Sequence, residues 1–240
     1  MQISSRKVVS FSGIDGAGKS TQIQALQAHL HEQGFRTLLL AFWDDVVVFP
    51  HFREFMSLKA FKGDEGVGSP DKPIERRDKN VISWYTIAAR LLFYLLDAIS
   101  LRWTLWQVSP QVEFVIFDRY IYDELANLPP RHALLRFYVK LVLAISPRPT
   151  AAYLIDADPD AAYTRKPEYP LEFLWQNRTA YLSISRFIPP MEVVGPDSID
   201  AMTLTILHSL SQHTSGLNTR ALEPPLPRSA RGEDATSVVS

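Results

Sequence analysis

Gly13, Gly18, Lys19 and Ser20 stand in the spacing G-x-x-x-x-G-K-S, with a further glycine at Gly16. A polyphosphate is strongly hydrated. A protein that binds one must turn several backbone N–H groups inward while keeping side chains out of the way, and glycines permit that approach. In such a loop Lys19 reaches the β- and γ-phosphates, the Ser20 hydroxyl can ligate Mg²⁺, and the helix that opens there offers its positive end. Gly13-Ile14-Asp15-Gly16-Ala17-Gly18-Lys19-Ser20-Thr21 therefore reads as the cradle of a nucleoside triphosphate. A glycine turn without a ligand is the competing reading, and the flanking pattern opposes it. Alternating β-formers, Val8 to Ser12, precede the loop. After it Ile23, Leu26 and Leu30 fall on one helical face, with Gly34 as a stop signal.

Asp118 ends a second apolar run, Phe114-Val-Ile-Phe117. A strand-end carboxylate beside a phosphate loop can organise Mg²⁺ through its water shell, whereas alone it would read as a turn cap. Arg119 follows at once and could clamp an acceptor phosphate bidentately, with a plain salt bridge as its rival. Arg165 and Lys166 end a short helical stretch on a proline-bounded flap, Asp158-Pro159 to Pro170. Phosphoryl transfer spreads negative charge while water is excluded, so these two cations suit a lid; they would equally complement a helix dipole.

The elements that must position these groups alternate in type. Thr37–Phe42 reads as a second strand, apolar throughout and expected to be covered on both faces. From Trp43 to about Arg77 turn chemistry predominates, as a long connection. A long buried helix over Val81–Val108 precedes the strand at 114–118, a short helix ends at Pro129-Pro130, and a helix spans about 133–145. A strand at 151–155, a capped helix from Asp158-Pro159, helices at about 171–187 and 198–212, and a strand at 191–194 complete the pattern. Five strands alternating with helices imply an α/β fold: a doubly wound parallel five-stranded sheet of the P-loop NTPase type, helices on both faces, with ligand sites at the strands' carboxyl ends. Residues 1–213 form one expected domain. Residues 214–240, rich in Pro, Ser, Arg and Glu, read as a disordered tail.

The chain has 240 residues, 46% of them apolar, which suffices for one real core. Its 25 basic and 26 acidic side chains give no broad field for nucleic acid or a membrane surface, so neither is an expected partner. No cysteine is present, which excludes disulfides and thiolate metal sites and fits a reducing compartment. With no apolar signal segment before the first strand, a cytoplasmic location is expected. Arg90, Asp97 and Arg102 interrupt the apolar stretch 81–108, against a membrane span. The base-reading element of a switch GTPase is not visible, and Arg119 occupies the place where an ATPase motor carries a catalytic glutamate.

Phe11-Ser-Gly-Ile-Asp-Gly-Ala-Gly-Lys-Ser-Thr-Gln22 together with Asp118-Arg-Tyr120 resembles the thymidylate kinase family, and the resemblance spans about residues 7–210. It implies an ATP- and Mg²⁺-dependent phosphotransferase acting on a small-molecule acceptor, a nucleotide, with dTMP the first expectation. It also implies that Asp15 holds the acceptor's sugar hydroxyl. Arg119 would help bind the acceptor phosphate, Ser20 and Asp118 would organise magnesium, and Arg165 or Lys166 would serve in the lid. The family's R-E-P-G-G-type segment is replaced by Ala41-Phe-Trp-Asp-Asp45, and Asp97 or Ala98 stands where a base-reading arginine belongs. Arg53, Arg76, Arg77 and Arg90 are the candidate substitutes, although an arginine in such a place is more often solvated or structural. A same-fold kinase of a nucleoside or small metabolite, and a non-catalytic nucleotide-binding regulator, stay open. Dimers packed through long helices are common in the family, and the apolar face of 81–108 would allow a homodimer.

Overall fold

The computed structural model describes residues 6–48, 84–126, 128, 133–188 and 191–214. Most of the connection predicted over 43–77 and the tail beyond Thr214 lie outside these residues, as do Arg53, Arg76 and Arg77. The first strand, β1 (Lys7–Ser12), leads through the glycine loop into α1 (Lys19–Glu32), and β2 (Thr37–Ala41) follows. Phe42–Val46 make a π-helical turn. A long helix α2 (Trp84–Gln107) precedes β3 (Phe114–Asp118) and the short α3 (Ile121–Leu125). Then come α4 (Ala133–Ile145), β4 (Ala151–Ile155), α5 (Pro159–Arg165), α6 (Leu171–Ser185), β5 (Met191–Val194) and α7 (Ile199–His213).

All five strands are parallel, in the order β2-β3-β1-β4-β5. From β1 the chain runs to the edge strand β2, steps back to β3 beside β1, and then crosses to β4 and β5. The connections leaving β1 and β3 therefore part in opposite directions and open a crevice at the carboxyl ends of these two strands. Alternate residues of the apolar strands feed two cores. Val9, Phe11, Phe114, Ile116 and Tyr153 face α1 and α7, whereas Val115, Phe117 and Ala152 face α2, α3 and α4. That two-sided demand explains the continuous apolar runs.

The edge strand departs from the expectation of cover on both faces: β2 is outermost, and Leu39 is 44% exposed. Phe42, expected to end that strand, instead opens the π-helical turn. The Asp45 carboxylate accepts the Ala41 N–H at 2.7 Å, offering the backbone a local partner in place of a strand ladder. Asp97 is fully buried on α2 and accepts the Val48 N–H at 2.9 Å, while Ser100 Oγ donates to the Val46 carbonyl at 2.6 Å. The carboxylate expected at a base-reading position is thus engaged in holding the segment after the π-helical turn. Asp158 caps α5 by accepting the Ala161 N–H at 3.1 Å, with Pro159 at the first helical position, as its sequence predicts. Among the described residues no helix is long and apolar enough to cross a membrane.

Leu101 lies fully buried between α2 and the sheet. Leu101→Ala is expected to lower the unfolding free energy by about 3 kcal/mol through lost burial and a residual cavity, read as a lower urea midpoint at unchanged m-value.

Candidate functional site

The glycine loop is shaped by what lies behind it. Gly13 has φ +145°, and a Cβ there would stand 2.5 Å from the Ile155 carbonyl oxygen at the end of β4. Gly16, at φ +79°, would drive a Cβ into the Ala162 carbonyl of α5. The bare backbone therefore rests directly on β4 and α5, which leaves its other side free for a ligand. Ile14 and Ala17 are buried beneath the loop, and the Ala17 N–H closes a turn on the Ile14 carbonyl at 3.2 Å.

Lys19 curls over this loop and donates through Nζ to the carbonyls of Gly13 at 3.1 Å and Ile14 at 2.9 Å. Burial, and next the positive Arg119, lower its pKa to about 8 against the opposing pull of Asp15, Asp123 and Asp118. Lys19 lines an open cleft of about 480 Å³ with Asp15, Gly16, Gly18, Ser20, Thr21, Asp118, Arg119, Arg165 and Lys166. Every catalytic and metal-site residue expected from sequence reaches this cleft. Among the expected cradle residues, Gly13, Ile14 and Ala17 support it from behind.

Parallel pairing sets Phe11 beside Asp118 and so brings the loop next to the end of β3. The Asp118 Oδ1 atom is buried and has no hydrogen-bond partner. A buried acceptor left alone is costly, and Asp118 lines the cleft, where a ligand could satisfy it. Ser20 is exposed in the same cleft. The pair fits Mg²⁺, which keeps several waters and takes substrate phosphate oxygens with one or two protein groups. No cluster of three or more His, Cys, Asp or Glu side chains suited to a metal occurs among the described residues.

Arg119 is the one non-glycine with positive φ among the described residues, at +68°. Its N–H donates to the Phe11 carbonyl at 2.8 Å, and its guanidinium is shared between two carboxylates. Nη2 pairs with Asp15, while Nη1 lies 3.2 Å from Asp123 Oδ1 and 3.2 Å from the Tyr181 hydroxyl. Burial works against the Arg119 charge, but Tyr181, Asp123, Asp15 and Asp118 together outweigh it and hold the guanidinium more firmly protonated than usual. The salt bridge weighed as an alternative for Arg119 is therefore formed, and it joins the loop to the β3 end.

Arg165 and Lys166 are exposed at the end of α5, where Lys166 Nζ approaches Glu168 at 3.1 Å and Arg165 Nε donates to the Ala161 carbonyl at 3.2 Å. Below them Asp156 takes both Arg178 Nε and Nη2 at 2.7 Å, a bidentate pair that ties α6 to the end of β4.

No protein-family model and no curated protein matches the sequence. Among solved structures, a thymidylate kinase from Candida albicans superposes with a TM-score of 0.58 over 91% of this chain and 94% of the other, at 19% identity. The fold is the thymidylate kinase fold. That structure is reported to reveal the origin of broad substrate specificity and a novel structural element.

Three members of the site were not anticipated. Asp123, Tyr181 and Ser12 are buried around Arg119, with Ser12 Oγ donating to Asp123 Oδ2 at 2.6 Å. The available signal was an acid three residues into a helix after Tyr120, the spacing at which a carboxylate reaches back to the helix's first N–H. The Tyr120 N–H is accepted by Asp123 Oδ2 at 3.0 Å. Tyr94 of α2 is buried in the core.

The lowered pKa of Lys19 predicts a pH dependence. A triphosphate prefers the charged ammonium, so affinity for tripolyphosphate or ATP is expected to be level in this respect below pH 8. It should fall by up to about tenfold per unit above it, as free Lys19 loses its proton. Calorimetric titrations from about pH 7.5 to 9.5 check this, and Lys19→Arg should flatten the profile.

Proposed function

We propose that the chain is an ATP- and Mg²⁺-dependent phosphotransferase that moves the γ-phosphoryl group of ATP to a nucleoside monophosphate, with dTMP to dTDP the first candidate. The observation that carries this reading is the convergence of Lys19, Ser20, Asp118, Arg119, Arg165 and Lys166 on one cleft at the open side of a glycine loop. Supporting it is a fold shared with a thymidylate kinase. In this reading the loop N–H groups and Lys19 hold the donor phosphates, while Ser20 and Asp118 hold Mg²⁺ and its waters. Held by Ser20 and Asp118, Mg²⁺ would supply positive charge against the negative charge of the transferring group. Asp15 and Arg119 face the acceptor, and Arg165 or Lys166 adds positive charge as the flap closes. A monophosphate oxygen is already nucleophilic at neutral pH, so the reaction needs no general base.

A second reading, transfer to the hydroxyl of a nucleoside or small metabolite, is favoured by two features. Arg119 is already paired with Asp15, and the turn after β2 offers Asp44 and Asp45 where an acceptor-phosphate arginine would stand. Asp15 or Asp118 would then take the hydroxyl proton. A nucleotide-binding regulator without turnover is the remaining alternative.

The same proposal includes a homodimer. Leu92, Ile99, Trp103 and Trp106 form an exposed stripe on α2, with Trp106 73% exposed, beside Leu134, Phe137 and Leu141 on α4. Exposed apolar side chains gathered on two neighbouring helices suit an interaction site, and a two-fold axis lets one such face cover itself.

An ADP-release assay against dTMP, other nucleoside monophosphates, nucleosides and hydroxylated metabolites tests the reaction. Selective turnover of a monophosphate is expected, and Lys19→Ala should reduce it by at least about a hundredfold. Turnover confined to a hydroxyl acceptor would establish the second reading, and ATP binding without turnover the regulator. Light scattering should find a dimer that Trp103→Glu with Trp106→Glu converts to a monomer; a wild-type monomer would overturn that part.

A further inference from the structure

The two oxygens of Asp123 face different tasks. Oδ2 accepts Ser12 Oγ–H at 2.6 Å and the Tyr120 N–H at 3.0 Å, which ties the end of β1 to the start of α3. Oδ1 accepts the Tyr181 hydroxyl at 2.6 Å and Arg119 Nη1 at 3.2 Å, and Nη1 also reaches the Tyr181 oxygen at 3.2 Å. Asp123 is 4% exposed and Tyr181 is buried. A guanidinium on a three-carbon stem would otherwise sample many rotamers. Here one edge is held in a closed triangle of Nη1, Oδ1 and the phenolic oxygen, against the protein wall. The other edge, Nη2, is left toward Asp15 and the cleft. A cap alone would need only Oδ2.

We propose that Asp123, acting with Tyr181, is the positioning residue for Arg119. It fixes the Nη1 edge so that only the Nη2 edge is offered to an acceptor, which binds by exchanging with or bridging to Asp15. The acceptor therefore meets a single oriented donor edge instead of a mobile two-edge fork, and α6, through Tyr181, takes part in aiming it. The kinetic consequence rests on the phosphotransferase reading above; the positional one does not.

Asp123→Asn separates the two tasks. Its amide oxygen can keep the Ser12 and Tyr120 bonds, but its NH₂ then faces Arg119 and the Tyr181 hydroxyl, where an acceptor is required. Tyr181→Phe removes one corner of the triangle without touching the cap. Side-chain NMR of ¹⁵N-arginine protein is expected to show hindered, separately resolved Arg119 Nη signals in the wild type. In both variants the hindrance at Nη1 should weaken, more in Asp123→Asn than in Tyr181→Phe, while the Nη2 pair with Asp15 persists, with the thermal midpoint recorded as the folding control. In the assay, the acceptor KM should rise on the order of tenfold while the KM for ATP stays within twofold. In an Arg119→Lys background, Asp123→Asn should add little. Unchanged Arg119 signals in both folded variants would overturn the proposal whatever the assay shows. So would a loss of stability with no acceptor-specific KM change. A wild type that turns over no acceptor would overturn the phosphotransferase reading alone, and the NMR comparison would still decide the positioning role.

Discussion

The parallel pairing of Phe11 with Asp118 is the contact on which both halves of the cleft depend. β1 delivers the loop and β3 delivers Asp118 and Arg119, and only their register sets these groups side by side. The ladder is carried one residue further by the Arg119 N–H on the Phe11 carbonyl. At that residue the chain must leave the sheet and enter α3, and it does so through a left-handed conformation at φ +68°. For a side chain as long as arginine this costs on the order of 1–3 kcal/mol and persists only where the surroundings over-determine it. Here a backbone bond, two carboxylates and a phenol do so. In return the turn is made within one residue, and the side chains of Asp118 and Arg119 both reach the crevice.

The cleft gathers four cationic side chains and two acids in a chain whose overall balance is nearly neutral. Lys19, Arg119, Arg165 and Lys166 face Asp15 and Asp118. The cations are not equivalent. Lys19 is buried, and the nearby acids only partly offset what burial and Arg119 do to it. Arg119 is stabilised by its own acids, so its charge is fixed but already shared. A phosphate chain settling on the loop would supply Lys19 with the partner that the carbonyls of Gly13 and Ile14 only approximate, which couples binding to the protonation of one buried amine. The unpaired Asp118 oxygen has the complementary need, for a cation.

What was legible in the sequence was what local spacing decides. The loop's glycines, the strand-end position of Asp118, the capped start of α5 and the alternation of strands with helices all follow from residues close in the chain. The edge position of β2 was not legible, because Thr37–Ala41 is as apolar as a central strand and only the pairing order exposes Leu39. Nor could Asp97 be placed, since its partner is a backbone N–H 49 residues away. The network around Arg119 was hidden for the same reason: Asp123 meets Tyr181 across 58 residues and Ser12 across 111. A buried carboxylate looks, in sequence, like any acid near a helix start, and its role depends on which elements converge on it.

In the proposed reading the segment that carries Arg165 and Lys166 covers the site, and its contacts say how firmly each part of it is held. At its near end α5 is held by the Asp158 cap and by the close approach of Gly16 to the Ala162 carbonyl. At its far end α6 is fixed to β4 by the two-bond pair of Arg178 with Asp156 and to α3 by Tyr181 on Asp123. Between these anchors lie Arg165 and Lys166, whose contacts at the surface are a bond within their own helix and a salt bridge to Glu168. Such exposed contacts are worth at most about 1 kcal/mol. The two cations can therefore approach or leave the cleft without breaking a strand pairing or the Asp156–Arg178 pair. In that reading, movement of the cover would leave in place the floor, set by β1, β3 and Asp123.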